Sequence, residues 1–120
     1  MRKNTIFTGS ATALITPFTQ NGVDYDAFGR LIDFQIENGT DALVICGTTG
    51  EPATMTYQER SEALDFALKR INKRVPVIVG TGSNATAIAV DNSVKAYNAG
   101  ADALLVVTPY YNKCTQTGLM

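Results

Sequence analysis

Three short segments carry the residue types that could do chemistry. The first, Gly47-Thr48-Thr49-Gly50-Glu51, holds two hydroxyls between two glycines. Glycines let successive backbone amides turn to one side and form a small anion nest, and the threonines add two donors. The ligand such a turn fits is a carboxylate or one set of phosphate oxygens. The same residues also describe a plain glycine-rich turn with capping threonines, and composition by itself favours that reading. The second segment is Gly80-Thr81-Gly82-Ser83-Asn84. Ala85 stands where a dinucleotide fingerprint needs its third glycine, so its expected role is to bring backbone close to whatever lies over the site. No Gly-Lys-Ser/Thr follows the first segment, which excludes a Walker loop. The third segment is Thr108-Pro109-Tyr110-Tyr111-Asn112. Its paired rings could be core filler, interface anchors or proton carriers. A phenol titrating near ~10 needs hydrogen-bonded partners to relay protons, so residue type favours packing or an interface.

Other chemistries are excluded by what is missing. There is no histidine, which removes histidine bases, Ser-His-Asp triads and histidine-ligated metals. Cys46 and Cys114 are too few for a disulfide framework or a four-cysteine metal site, so no metal is expected. Cys46 follows Ala42-Leu43-Val44-Ile45 and reads as a small buried apolar residue. Glu51 has no second carboxylate at useful spacing and reads as an exposed or helix-capping group. The lysines are Lys3, Lys69, Lys73, Lys95 and Lys113. None stands at the C-terminal end of a predicted strand, where a Schiff-base lysine would sit in a dry pocket.

The elements that must position these segments alternate between strand and helix. Residues 8–15 read as a first strand, ended by Thr16-Pro17. Asp24 is the expected N-cap of a helix with Tyr25, Phe28, Leu31, Ile32 and Ile36 at helical spacing, stopped by Asn38-Gly39. Residues 41–46 form a second, apolar strand. Thr56-Tyr57-Gln58-Glu59 is a capping box opening a second helix, with Ala63, Leu64, Ala67, Leu68 and Ile71 as its buried stripe. Lys69, Arg70, Lys73 and Arg74 gather near its end, where the helix dipole favours cations. Residues 75–79 form a third strand. A third helix begins at Asn84 or Thr86 and stops at Gly100, and residues 103–107 form a fourth strand. Gly39-Thr40-Asp41-Ala42-Leu43-Val44-Ile45 resembles Gly100-Ala101-Asp102-Ala103-Leu104-Leu105-Val106, two strand–helix units later.

Buried strands joined by helices imply a parallel sheet. A doubly wound sheet would carry a glycine-rich phosphate turn after its first strand, and Ile15-Thr16-Pro17-Phe18 is no such turn. A (β/α)₈ TIM barrel puts its chemistry just past the strand ends, where all three segments fall. The expectation is an α/β chain in which residues 1–120 are the N-terminal half of such a barrel, with about four strands, three helices and no second domain.

Composition bounds the setting. The chain is 45% hydrophobic and carries 10 basic against 11 acidic residues, which suits one globular domain and disfavours nucleic acid as partner. No stretch approaches the ~20 apolar residues of a membrane span. Met1-Arg2-Lys3-Asn4 resembles a signal n-region, but Thr, Gly and Ser break the following segment. With so few cysteines, the expectation is a cytoplasmic chain with a retained N-terminus.

Phe7-Thr8-Gly9-Ser10 leading to Thr16-Pro17-Phe18, the segment at 47–51 and Thr108-Pro109-Tyr110-Tyr111-Asn112 together resemble the N-terminal part of the dihydrodipicolinate synthase family. The resemblance runs over essentially the whole chain. The 47–51 segment is shared across the pyruvate-dependent aldolases. Thr48 with the third segment points to the synthase rather than to N-acetylneuraminate lyase or the keto-sugar-acid aldolases. The resemblance implies a barrel assembled as a dimer or tetramer. It also implies condensation of pyruvate with aspartate semialdehyde through a lysine Schiff base, without metal or organic cofactor, on the route to diaminopimelate and lysine. It assigns Thr49 to the pyruvate carboxylate, Thr48 and Tyr111 to a proton relay, and Tyr110 and Tyr111 to the dimer interface, with Tyr110 bordering a lysine-inhibitor site.

Departures from the pattern are equally specific. The family's Schiff-base lysine, second relay tyrosine and substrate-binding arginine belong to later strands, past Met120, so the 120 residues alone are expected to be inactive. Cys114 replaces a frequent proline. Ile88 stands where lysine-inhibited members carry a glutamate, and Tyr57 where a histidine often lines the same site; both argue against lysine feedback. The alternative expectation is a noncatalytic half-barrel that self-associates through open strand edges.

Overall fold

Local capping chemistry sets the helices. The Asp24 side chain accepts from the Ala27 amide at 2.9 Å and opens α1, Tyr25–Glu37. Asn38 and the left-handed Gly39 close it. Thr56 and Glu59 make both bonds of the capping box and open α2, Tyr57–Ile71, which ends at the left-handed Asn72. Those bonds hold the Glu59 carboxyl below its ordinary range. α3, Thr86–Ala99, starts at Ala85 with no side-chain cap and stops at the left-handed Gly100. The computed structural model describes residues 4–120, so Lys3 and the basic N-terminal residues lie outside the described residues.

The main sheet has β1 (Ala11–Ala13), β4 (Ala42–Ile45), β5 (Val77–Gly80) and β6 (Ala103–Leu105), all parallel and in chain order β1-β4-β5-β6. Between β1 and α1 lies a small antiparallel hairpin, β2 (Phe18–Thr19) and β3 (Gly22–Val23). A short α4, Gln116–Leu119, ends the chain and was not anticipated. The strands are shorter than predicted: of residues 8–15 only Ala11–Ala13 pair in the ladder, and of residues 103–107 only Ala103–Leu105.

Register separates the two faces of the sheet. Leu43, Ile45, Val77 and Val79 share one buried core with Phe28 and Ile32 of α1, Ala63, Leu64, Ala67 and Ile71 of α2, and Ala96 of α3. All three long helices therefore cover the same face. The opposite face carries the row Ala13, Val44, Ile78 and Ala103, with Gly80 and Leu105 one step higher. α1 and α2 are further joined where Phe66 packs on Tyr25 and Phe28, with ring centroids 4.9 and 5.9 Å apart. Arg70 and Arg74 do more than answer a helix dipole: their guanidinium groups clamp Asp33 of α1, at 3.0 Å from Arg70 Nε and 2.8 Å from Arg74 Nη2.

The repeated sequence segment has a common structural purpose. Gly39 and Gly100 both adopt positive φ and end a helix. Two residues on, Asp41 accepts from the Ser10 amide at 2.8 Å and Asp102 from the Val77 amide at 2.9 Å. Each aspartate pins its strand to the strand before it. This is the N-terminal rim of the sheet, the end that stabilises a barrel.

Candidate functional site at the strand ends

The opposite, C-terminal rim gathers the three segments singled out from sequence. After β4 the chain turns sharply at the buried Cys46, whose φ is 55°. Thr48–Gly50 then forms a single 3₁₀ turn, closed by Gly50 N to Gly47 O at 2.8 Å and Glu51 N to Thr48 O at 3.1 Å. Those two amides serve the turn, so an anion nest here reduces to the amides and hydroxyls of Thr48 and Thr49. Glu51 is exposed and left-handed, at φ 56°, and caps the turn instead of facing a second carboxylate.

Thr16, just past the exit of β1, anchors this turn. Its buried hydroxyl donates to the Gly50 carbonyl at 2.8 Å. A side chain on Gly50 would press on the Leu14 carbonyl at 3.2 Å and on Thr16 Oγ1 at 3.3 Å. The turn is thereby fixed to the exit of β1 as well as to that of β4.

Gly80-Thr81-Gly82 lies between the exits of β4 and β6. A Cβ on Gly80 would come within 2.0 Å of the Cys46 carbonyl oxygen, and one on Gly82 within 2.5 Å of the Val107 amide nitrogen. The close backbone approach expected of these glycines is real, but it is made to neighbouring strand ends rather than to a ligand.

A cleft of ≈ 510 Å³ opens above this segment. Thr48, Glu51, Arg60, Ser83, Tyr110 and Tyr111 are among its walls, and Gly80 and Gly82 line it too. Thr48 and Tyr111 thus share one cleft, whereas Thr49 is exposed and does not line it. Tyr111 is 95% exposed at φ 65°, and its ring meets that of Tyr110 edge-on with centroids 6.2 Å apart. Ile88 lines the cleft with an apolar side chain. Tyr57 does not; it carries Lys95 Nζ over its ring, 4.3 Å from the centroid.

Cys46 is buried, and burial pushes its thiol up. Cys114 is exposed. Lys69 and Lys73 lie at the end of α2, Lys95 pairs with Asp91 at 2.6 Å, and Lys113 is in an exposed loop. Among the described residues, no lysine stands at a strand's C-terminal end, no acidic or cysteine cluster could hold a metal, and no helix is long and apolar enough to cross a membrane.

Parallel strands in chain order, one helical face and a functional rim at the strand C-termini define part of an α/β barrel. The chain belongs to the dihydrodipicolinate synthetase family, whose model matches residues 6–120. It is 58% identical over 119 residues to a 4-hydroxy-tetrahydrodipicolinate synthase of Acetivibrio thermocellus, covering 99% of this chain and 40% of that relative. A crystal structure of dihydrodipicolinate synthase from Aquifex aeolicus superposes with a TM-score of 0.90 at 55% identity, covering 94% of this chain and 39% of that one. A monomeric dihydrodipicolinate synthase variant gives 0.92 at 43% identity, covering 95% and 38%. The chain thus spans about 40% of the length of the relatives it matches.

Proposed function

We propose that these residues form the N-terminal half-barrel of a 4-hydroxy-tetrahydrodipicolinate synthase. That enzyme is a lyase condensing pyruvate with aspartate semialdehyde through a Schiff base, in amino-acid biosynthesis in the cytoplasm and without metal or organic cofactor. The observation that carries the reading is the shared cleft at the strand ends, with Thr48 and Tyr111 on its walls. Thr49 holds the pyruvate carboxylate with its hydroxyl and amide, the two donor types that the 3₁₀ turn leaves unused. Thr48 and Tyr111 relay the proton. Tyr110 and Tyr111, both exposed and Tyr111 at positive φ, meet a second subunit of a homo-oligomer. Ile88 offers no charge to an ammonium, so lysine does not inhibit.

A chimera tests this reading. These residues replace the matching segment of the Acetivibrio thermocellus synthase, and borohydride traps any adduct with labelled pyruvate. The expected result is a trapped adduct and turnover in the chimera. Thr48→Val should lower kcat by about 10²–10⁴, the range for a lost proton-transfer group. The 120 residues alone should give no adduct, since covalent catalysis needs a placed lysine. A folded chimera that traps no pyruvate refutes the proposal.

A second reading has its own observation. β1 and β6 are open edges, and Ile15 and Leu105, on the face away from the helices, are 55% and 49% exposed. Uncovered edges and apolar rows of this kind drive association. The isolated chain should therefore sediment as a self-associated species; a stable monomer would exclude this.

A further inference from the structure

α1 and α2 meet the sheet through apolar side chains, but α3 does not do so at its rim end. Its buried residues are Asn92 and Ala96. Helical period would put an apolar side chain at 92, and a buried amide there calls for a partner. The partner is Thr81, only 1% exposed. Asn92 Nδ2 donates to the Thr81 carbonyl at 3.4 Å, and Ser93 Oγ lies 2.9 Å from Thr81 Oγ1 and 2.7 Å from the Ala89 carbonyl. The Thr81 amide donates to the Leu105 carbonyl at 3.1 Å. Every polar atom of Thr81 is engaged, two of them by α3.

Thr81 sits between two glycines that pack closely on the chain at Cys46 and at Val107. A displacement of Thr81 therefore pushes directly on the chain leading to Thr48 and on the chain leading to Tyr110 and Tyr111. Apolar contacts allow a helix to slide, whereas buried hydrogen bonds are directional and set position. We propose that Thr81 is a positioning residue. Held by Ser93 and Asn92, it sets the separation between the Thr48 turn and the Tyr110-Tyr111 loop. The inference rests on the proposed roles of those residues and adds a group that contacts neither substrate nor reacting atoms.

The test uses the 120-residue chain with Thr81→Val, which keeps the shape and removes the hydroxyl. Thr81→Ser is the rescue. Ala96→Gly loosens α3 without touching this network and is the control. Amide signals of Thr48, Thr49, Tyr110 and Tyr111 are followed in ¹H–¹⁵N spectra, alone and during titration with pyruvate. Thr81→Val should move the signals at both strand exits, Thr81→Ser should restore them, and Ala96→Gly should leave them in place. Pyruvate binding at Thr48 and Thr49 should weaken about fivefold in Thr81→Val, the factor for one ordinary hydrogen bond. Unmoved signals in Thr81→Val, or equal movement in Ala96→Gly, overturn the positioning role. If the unaltered chain gives no pyruvate response, the carboxylate role of Thr49 falls, and the loop signals still decide the positioning role.

Discussion

Gly80→Ala should be among the most damaging single-methyl changes in the chain, although Gly80 is not one of the glycines at positive φ. The added Cβ would lie 2.0 Å from the Cys46 carbonyl oxygen, 2.6 Å from its carbon and 2.9 Å from Gly47 Cα. All three are backbone atoms, so no side chain can rotate away. Reaching the 3.0 Å floor of real Cβ contacts requires β4 and β5 to part by about 1 Å at their ends. Overpacking of this kind costs about 1–3 kcal/mol, and weakening a ladder bond beside the Ile45–Val79 pair adds about 1 more. An expected loss of about 2–4 kcal/mol lowers Tm by roughly 10–15 °C in a domain of this size. Gly39→Ala is the matched comparison. Gly39 has φ 87° with nothing within 4 Å of its built Cβ, so only conformational strain opposes alanine, about 1 kcal/mol. Urea titrations of both variants, read by far-UV dichroism, give the two midpoints. If Gly80→Ala is no more destabilising than Gly39→Ala, the steric account of the rim is wrong. The same spectra of Thr48 and Thr49 amides should shift in Gly80→Ala and stay fixed in Gly39→Ala.

Three further outcomes are expected. Asp41→Ala and Asp102→Ala should each cost about 1–2 kcal/mol and speed hydrogen exchange at the Ser10 and Val77 amides respectively, without crossover between the pairs. Asp33 is held below its ordinary range by its hydrogen bonds to Arg70 and Arg74, so its contribution is complete above about pH 4 and is lost as pH falls further; Asp33→Asn should flatten the urea midpoint between pH 5 and 3, measured as about five points across that range. A disulfide reagent at neutral pH should label Cys114 at once and Cys46 only as the chain unfolds, and because burial raises the Cys46 thiol, its stabilising contribution is lost as pH climbs past its ordinary value near 9, which an alkaline denaturation curve of Cys46→Ser would lack.

Much of the scaffold is legible from local chemistry. Asp24, Thr56 with Glu59, Asn38-Gly39 and Gly100 each act on atoms within a few residues, and each helix end they mark falls where expected. The buried parity of β4 and β5 follows from continuous apolar runs between those ends. Strand limits are harder to read because pairing depends on the neighbour: Ile15, Val106 and Val107 are apolar like the strand residues before them yet lie outside the ladder. The hairpin at Phe18–Thr19 and Gly22–Val23 is too short to show a period. Arg70 and Arg74 were read against their own helix, because nothing local reveals that Asp33 lies across from them.

The two rims differ in how they can be read, and the difference has a physical cause. At the N-terminal rim, each strand is pinned by an aspartate two residues after a helix-ending glycine. One local device serves two strand–helix units, so it surfaces in sequence as a repeat, and its repetition marks it as structural. At the C-terminal rim nothing repeats. Thr16 reaches Gly50, Gly80 touches Cys46, Gly82 touches Val107, and Asn92 and Ser93 reach Thr81. Each contact joins a different pair of units through a different atom type, and in sequence each looks like an ordinary turn or helix residue. The contacts around the cleft that Thr48 and Tyr111 share therefore join unlike elements, and none of them surfaces in sequence as a repeat. That is why the N-terminal rim is legible in the sequence and the C-terminal rim is not.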